Sequence, residues 1–171
     1  MTSERVLQIV RDRLESGLAF KGGFGEHHSG LVRLGKVELD GVELDGDDDT
    51  KAVRGAQAVV ECLLMVAESC CNYTGNAHGG FLAWLIDHCS SLSLIALATG
   101  GRWVTSGVST NLNISFIAAA PVGREIRIVS SVLQLGKTAG LLEIRVEDVV
   151  TGMLLCFATH NKQDVSARAK L

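Results

Sequence analysis

The longest apolar stretch of the chain follows a pair of glycines and carries one carboxylate. Within 79–100 the ionisable residues are Asp87, His88 and Cys89, set among Phe, Leu, Ala, Trp, Ile and Ser. A stretch that is apolar on all sides predicts a helix that is buried nearly all round. Because an isolated carboxylate is costly in such surroundings, Asp87 is a candidate functional residue.

Strand-like runs lie on both sides of this helix. They fall within 31–44, 56–67, 104–118, 124–135, 139–149 and 153–162. The last four runs are separated by short turn signals, Pro121-Val122-Gly123, Gly136-Lys137 and Thr151-Gly152. An apolar stripe from Glu4 to Leu14 predicts an amphipathic N-terminal helix. One long buried helix with about five to six antiparallel strands favours an α+β fold in which the sheet curls around the helix.

Composition narrows the class of protein. The chain has 171 residues, of which 47% are hydrophobic and 20% charged, as expected of one globular domain. A net charge of −3 gives no support to nucleic-acid binding. The five cysteines form no C-x-x-C pair, which indicates reduced side chains in an intracellular protein rather than disulfides or a zinc site. We expect an N-terminal helix and glycine-rich loop over 1–30, the main domain over 31–165 and a tail over 166–171.

Neither a membrane span nor an N-terminal targeting peptide is expected. Asp87 and His88 in the middle of the apolar helix would be costly in a bilayer, which favours a helix in a protein core. The first 17 residues have no long apolar run and carry three acidic side chains, unlike a signal or transit peptide.

The two ends of the predicted helix are too far apart to act together within one chain. Backbone amides in the first turn, at Gly79 and Gly80, have no partner inside the helix and suit an anion or an oxyanion. Asp87 lies eight residues further on, about 12 Å along the helix axis. If the amide and the carboxylate serve one reaction, they come from two copies of the chain. The sequence therefore predicts an active site that is shared across a dimer.

Several motifs together resemble one enzyme family. They are Asn72, His78-Gly79-Gly80, Asp87, Gly107-Val108-Ser109, Asn113-Ile114-Ser115-Phe116, Pro121-Val122-Gly123, Gly136-Lys137-Thr138 and Thr151-Gly152. In order and spacing, over about 56–162, they resemble the hotdog-fold acyl-CoA thioesterases, in the branch of the phenylacetate-pathway enzymes and the thioesterase superfamily members. The resemblance implies a hotdog fold and hydrolysis of an acyl-CoA to a free acid and coenzyme A. It also implies a homodimer that pairs into a homotetramer.

The resemblance also implies roles for five residues. Asp87 acts as base or nucleophile, and Ser109 helps to place the attacking water on the aspartate's side of the interface. The Gly79 amide of the partner polarises the thioester carbonyl. Asn72 holds the carbonyl or the water, unless it only caps its own loop, and His78 is supportive.

Coenzyme A enters as part of the substrate, so no separate cofactor is expected. Its phosphates are expected near the surface, on Lys137 beside Gly136 or on Lys162. No metal is expected, because His78 and His88 project from different helix faces and no third ligand is spaced to join them.

The last three residues, Ala169-Lys170-Leu171, are a close variant of the Ser-Lys-Leu peroxisomal signal. If these residues are the natural terminus, they predict recognition by a peroxisomal import receptor. If they are not used as a signal, we expect a cytoplasmic location.

Two alternatives remain open at this point. The first is a hotdog hydratase or dehydratase acting on acyl thioesters. Such enzymes usually carry histidine in a proline-bearing loop, whereas the one proline here is Pro121. The second is a non-catalytic acyl-CoA binding protein, which the cost of placing Asp87 in an apolar helix disfavours.

Overall fold

A computed structural model describes residues 3–15, 23–40, 57–98, 103 and 105–165. The helices are α1 (Ser3–Glu15), α2 (Glu26–Ser29) and α3 (Gly79–Ala96), with a short 3-10 turn at Glu68–Cys70. The strands are β1 (Arg33–Asp40), β2 (Gln57–Met65), β3 (Val108–Phe116), β4 (Glu125–Leu135), β5 (Ala139–Asp148) and β6 (Leu154–Gln163). The predicted C-terminal tail and most of the loop before residue 23 lie outside these residues.

The strands form one antiparallel sheet in the order β1-β2-β4-β5-β6-β3. Strands β4, β5 and β6 are joined by short turns, as their hairpin signals predict, whereas β3 crosses over to pair with β6 at the sheet edge. The curved sheet packs against α3, with alternate residues of β2, β4, β5 and β6 buried on the inner face. The predicted α+β hotdog fold is confirmed.

Helix α3 lies at the centre of the hydrophobic core. Leu85, Ile86, Leu92 and Leu94 are fully buried. The helix is long and apolar enough to cross a membrane by length and composition alone, but 67% of its 18-residue span is buried inside the protein. Burial of several large side chains on one helix is a major source of stability, at about 1.5–3 kcal/mol each.

One end of α3 is covered by a segment that the sequence did not predict to be helical. Helix α2 begins after Gly25, whose φ of 82° lies in the left-handed region. A Cβ at Gly25 would lie 2.1 Å from Nε1 of Trp84, so only glycine permits this approach. Because of this contact, the loop lies directly on the helix near the candidate residues.

Candidate active site

The carboxylate of Asp87 is held through one of its two oxygens. Ser109 donates its hydroxyl to Oδ1 at 2.6 Å. Nε2 of His160 lies 3.2 Å from the same oxygen, out of line for a hydrogen bond, and Nζ of Lys162 lies 3.8 Å away. Among the described residues nothing binds Oδ2, and the Asp87 side chain is 42% exposed. The second oxygen is therefore free to contact a bound molecule.

The structure brings Asp87 and Ser109 together as predicted, and it adds a residue that the sequence analysis missed. His160 is fully buried on β6, and its Nδ1 lies 2.8 Å from the Ser90 hydroxyl. The same Ser90 hydroxyl donates to the backbone carbonyl of Asp87 at 3.1 Å, so Ser90 links His160 to α3. Alternation along β6 was the available signal, since residues 156, 158, 160 and 162 share one face of the strand.

Lys162 is not at the surface, where its expected role on coenzyme A phosphates would place it. It is 4% exposed, and its Nζ donates to the Ser91 hydroxyl at 2.6 Å. The strand register explains the difference, because Lys162 follows His160 by two positions and so points to the same inner face. Lys137 is exposed in the turn between β4 and β5, beside Gly136, as expected for a group that meets a phosphate.

Burial lowers the pKa of the two basic side chains behind Asp87. It lowers the pKa of His160 to about 4, helped by the charge of Lys162 and opposed by that of Asp87. His160 is therefore neutral at pH 7. Burial also lowers the pKa of Lys162, and the Asp87 carboxylate opposes that effect.

The first turn of α3 presents backbone amides that have no partner among the described residues. The ring of His78 caps the helix, with Nδ1 accepting from the Gly80 amide at 2.9 Å. Within the described ranges no acceptor binds the amide of Gly79. The ring hydrogen of His78 is then on Nε2, which is free to donate because the side chain is exposed. The Gly79 amide and the His78 ring thus present donors side by side at the positive end of the helix.

The side chain of Asn72 caps its own loop. Its Oδ1 accepts from the amides of Thr74 and Asn76 and from the Thr74 hydroxyl at 2.6–3.3 Å. This is the turn-capping alternative of the sequence analysis, and it fixes the orientation of the side chain. The Nδ2 group has no acceptor in the part of the chain that the structure describes, so it is available as a donor.

Two clefts lie along α3. One, of about 530 Å³, contains Asp87, Ser109 and Lys162. The other, of about 470 Å³, contains His78 and Gly80 and is mainly apolar. Phe24 and Trp84 line both clefts and form the wall between them. The Trp84 ring is also stacked at 5.0 Å on His88, which is buried and whose pKa is lowered by that burial.

The start of β3 positions Ser109 beside Asp87. Gly107 has a φ of 70°, and a Cβ there would lie 2.5 Å from the carbonyl oxygen of Gln163. The glycine lets the chain pass close to the end of β6 before it enters β3.

Among the described residues no three His, Cys, Asp or Glu side chains are grouped as a metal site requires.

Comparison with known proteins identifies the family. A family model described as the thioesterase superfamily matches residues 74–153. Human acyl-coenzyme A thioesterase 13 is 33% identical over 110 residues, covering 64% of this chain and 76% of that protein. The chain belongs to the thioesterase superfamily. Of the three alternatives raised by the sequence, a thioester hydrolase is therefore the one that holds.

Solved structures agree with the fold of this thioesterase. Zebrafish thioesterase superfamily member 2 has a TM-score of 0.69 at 26% identity, covering 95% of this chain and 98% of that one. A thioesterase protein from Streptococcus pneumoniae, solved with coenzyme A, has a TM-score of 0.57 at 24% identity, covering 76% and 86%. The resemblance noted from the sequence motifs is thereby confirmed.

Proposed function

We propose that this thioesterase hydrolyses an acyl-CoA at a site built from two copies of the chain. The observation that carries the proposal is the Asp87 carboxylate at an open cleft, with one oxygen anchored and the other without a partner among the described residues. The relatives named as acyl-coenzyme A thioesterases, and the related fold solved with coenzyme A, support that substrate class.

The edge strand β3 supports a composite site. Ser109 near its start contacts Asp87, whereas Phe116 at its end packs 3.6 Å from where a Cβ on Gly79 would lie. In the described part of the chain β3 ends the sheet, so its outer edge has no neighbouring strand there. If two copies pair these edges antiparallel, the start of one strand meets the end of the other. Asp87 of one subunit then faces the Gly79 amide of its partner.

The reaction proposed at this site uses water. Ser109 donates its hydrogen to Asp87, so its oxygen remains able to accept a hydrogen from a water molecule. Asp87 removes a proton from that water, and the hydroxide attacks the thioester carbonyl carbon. The negative charge that develops on the carbonyl oxygen is bound by the partner's Gly79 amide. The carbon–sulfur bond then breaks, and the proton that Asp87 took from the water passes to the departing sulfur, which gives the free acid and coenzyme A and restores the Asp87 carboxylate.

Three further groups complete the proposed site. The Nδ2 group of Asn72 and the Nε2 group of His78 are donors near the same helix end, and we assign them to the thioester carbonyl and sulfur. Lys137, exposed beside Gly136, is assigned to the phosphates of coenzyme A. The dimers are proposed to pair into tetramers, as the resemblance implies.

The test is thiol release from a panel of acyl-CoAs, comparing the native protein with Asp87→Asn. The panel runs from short to long aliphatic acyl groups and includes phenylacetyl and benzoyl. The substitution keeps the shape of the side chain but removes the base, so we expect kcat to fall by about 10²–10⁴-fold on every substrate turned over. Native turnover ranks the acyl groups. A variant that keeps native turnover would remove Asp87 from the mechanism.

A further inference from the structure

An ammonium group is buried behind the Asp87 carboxylate. The Lys162 side chain is 4% exposed and takes an inner position of β6, where Ala158 and Cys156 are buried earlier on the strand. A buried charge is unfavourable unless it has partners, and here the partners are on α3. Its presence therefore indicates an interaction with that helix.

The contacts of Lys162 leave little freedom to the groups around it. An ammonium has only hydrogens to give, so the Ser91 oxygen must accept from Nζ at 2.6 Å. The Ser91 hydroxyl then donates its own hydrogen to the Asp87 carbonyl at 2.8 Å. Because Asp87 and Ser91 are four residues apart, both lie on the helix face toward β6. The ammonium is thus fixed 3.8 Å from Oδ1, the oxygen that also accepts from Ser109.

We propose that Lys162 is a positioning residue for hydrolysis: its fixed charge holds Oδ1 of Asp87 against the sheet and leaves Oδ2 directed at the substrate. The ammonium does not touch the reacting atoms. It acts through the carboxylate, by restricting its rotation. This assignment rests on the proposed function and replaces the phosphate-binding role expected of Lys162 from the sequence.

The other titratable groups around Lys162 are on three elements. Asp87 and His88 face it from α3, and His160 precedes it on β6. Arg13 of α1 lines the same cleft. His88 and His160 both have a pKa lowered by burial and are neutral at pH 7. Of these groups, Lys162 is a cation that lies 3.8 Å from Oδ1 of Asp87.

The experiment compares Lys162→Met, Lys162→Arg and the surface control Lys36→Met. Lys36 is 64% exposed on the opposite edge strand β1. Each protein is assayed with the preferred acyl-CoA and with the same acyl group on pantetheine, which lacks the nucleotide phosphates. We expect Lys162→Met to lower kcat by about 10–100-fold on both substrates, with KM changed less than about two-fold.

The conservative variant separates positioning from a merely structural role. Lys162→Arg keeps the charge beside the carboxylate, so it should retain more of the native kcat than Lys162→Met does. Lys36→Met should match the native protein in kcat and KM.

Three results would overturn the assignment. One is a native kcat in Lys162→Met. Another is a rise in KM confined to the coenzyme A substrate, which would make Lys162 a phosphate ligand. If Lys162→Met does not fold, Ser91→Ala releases the ammonium while keeping its charge, and an unchanged kcat there would count equally against it. Loss of turnover in Asp87→Asn with native turnover in Lys162→Met would defeat this inference alone, whereas native turnover in Asp87→Asn would defeat the proposed function.

Discussion

At the scale of single residues, the site depends on which polar atoms are already occupied. Oδ1 of Asp87, Oδ1 of Asn72 and the Gly80 amide all have partners within the chain. Oδ2 of Asp87, Nδ2 of Asn72 and the Gly79 amide have none among the described residues. The occupied atoms fix the orientation of each group, and the unoccupied ones are those that the proposed reaction uses.

The Gly79 amide can be removed without changing the fold of the helix. Proline is favoured at the first position of a helix, and the extended backbone of His78 suits the residue before proline. We expect Gly79→Pro to lower kcat by about 10²–10³-fold, as loss of an oxyanion donor does. Circular dichroism should show native helix content, and thiol release measures the loss.

Gly79→Ala is the matched control for that variant. It keeps the amide, and its Cβ would meet Phe116 at 3.6 Å, an ordinary van der Waals distance. We expect nearly native kcat. Equal losses in the alanine and proline variants would show that crowding, and not the missing amide, is responsible.

At the scale of elements, the periodicity of the chain predicted α1, α3 and the six strands to within a few residues. A long run in which apolar residues recur with one period fits either a helix or a strand, but not both. The turn signals around Gly123, Gly136 and Gly152 separated the later strands. Helix α2 was missed because it has four residues and no periodic pattern. The pairing of β3 with β6 depends on contacts distant in sequence, which local patterns do not encode.

The difference between local patterns and contacts distant in sequence also explains which site residues were predicted. Asp87 stood out because its neighbours in sequence are apolar, and Ser109 was found through a motif. His160 and the burial of Lys162 were not predicted, because their partners on α3 lie about 70 residues away. Register across the sheet, rather than residue type, decides which strand side chains reach the helix.

The junction between β6 and β3 gives a prediction at this scale. In Gly107→Ala the left-handed backbone would cost about 1–2 kcal/mol of stability. The added Cβ would also clash with the Gln163 carbonyl. We expect a loss of about 2–4 kcal/mol in the free energy of unfolding, measured by denaturant titration. Because Ser109 follows two residues later, kcat should also fall.

Gly123→Ala separates these two costs. Gly123 has a similar φ of 78°, but no atom lies within 4 Å of an added Cβ. It should lose only the backbone contribution, about 1–2 kcal/mol, with kcat unchanged. If both variants lose the same stability, the close approach at Gly107 is not important.

At the scale of the whole molecule, the described chain contains the two halves of the proposed site but keeps them apart. Asp87 and the first turn of α3 open into different clefts, with Phe24 and Trp84 between them. The two clefts lie beside opposite ends of β3, whose outer edge is open. Exposed strand edges are normally paired or protected, so a second copy is the partner that fits both the edge and the chemistry.

This arrangement predicts that two inactive variants restore activity together. Asp87→Asn and Gly79→Pro, carrying different affinity tags, are co-expressed and the heterodimer is isolated by tandem purification. In a shared site, one of its two sites receives both substitutions and the other receives neither. We expect about half the native kcat per dimer, because one site of the symmetric pair is intact. Sedimentation velocity gives the number of subunits in the purified species, and the ratio of the two tags gives its composition if the dimers pair into tetramers.

The controls for this complementation are the two parent homodimers, which carry one defect in each site and should stay inactive. A heterodimer as inactive as its parents would show that Asp87 and Gly79 act within one chain. That outcome would require the helix ends to reach one substrate across about 12 Å, which a single thioester group cannot span. Recovery of activity is therefore the expected result if the catalytic carboxylate and the oxyanion donor are those proposed.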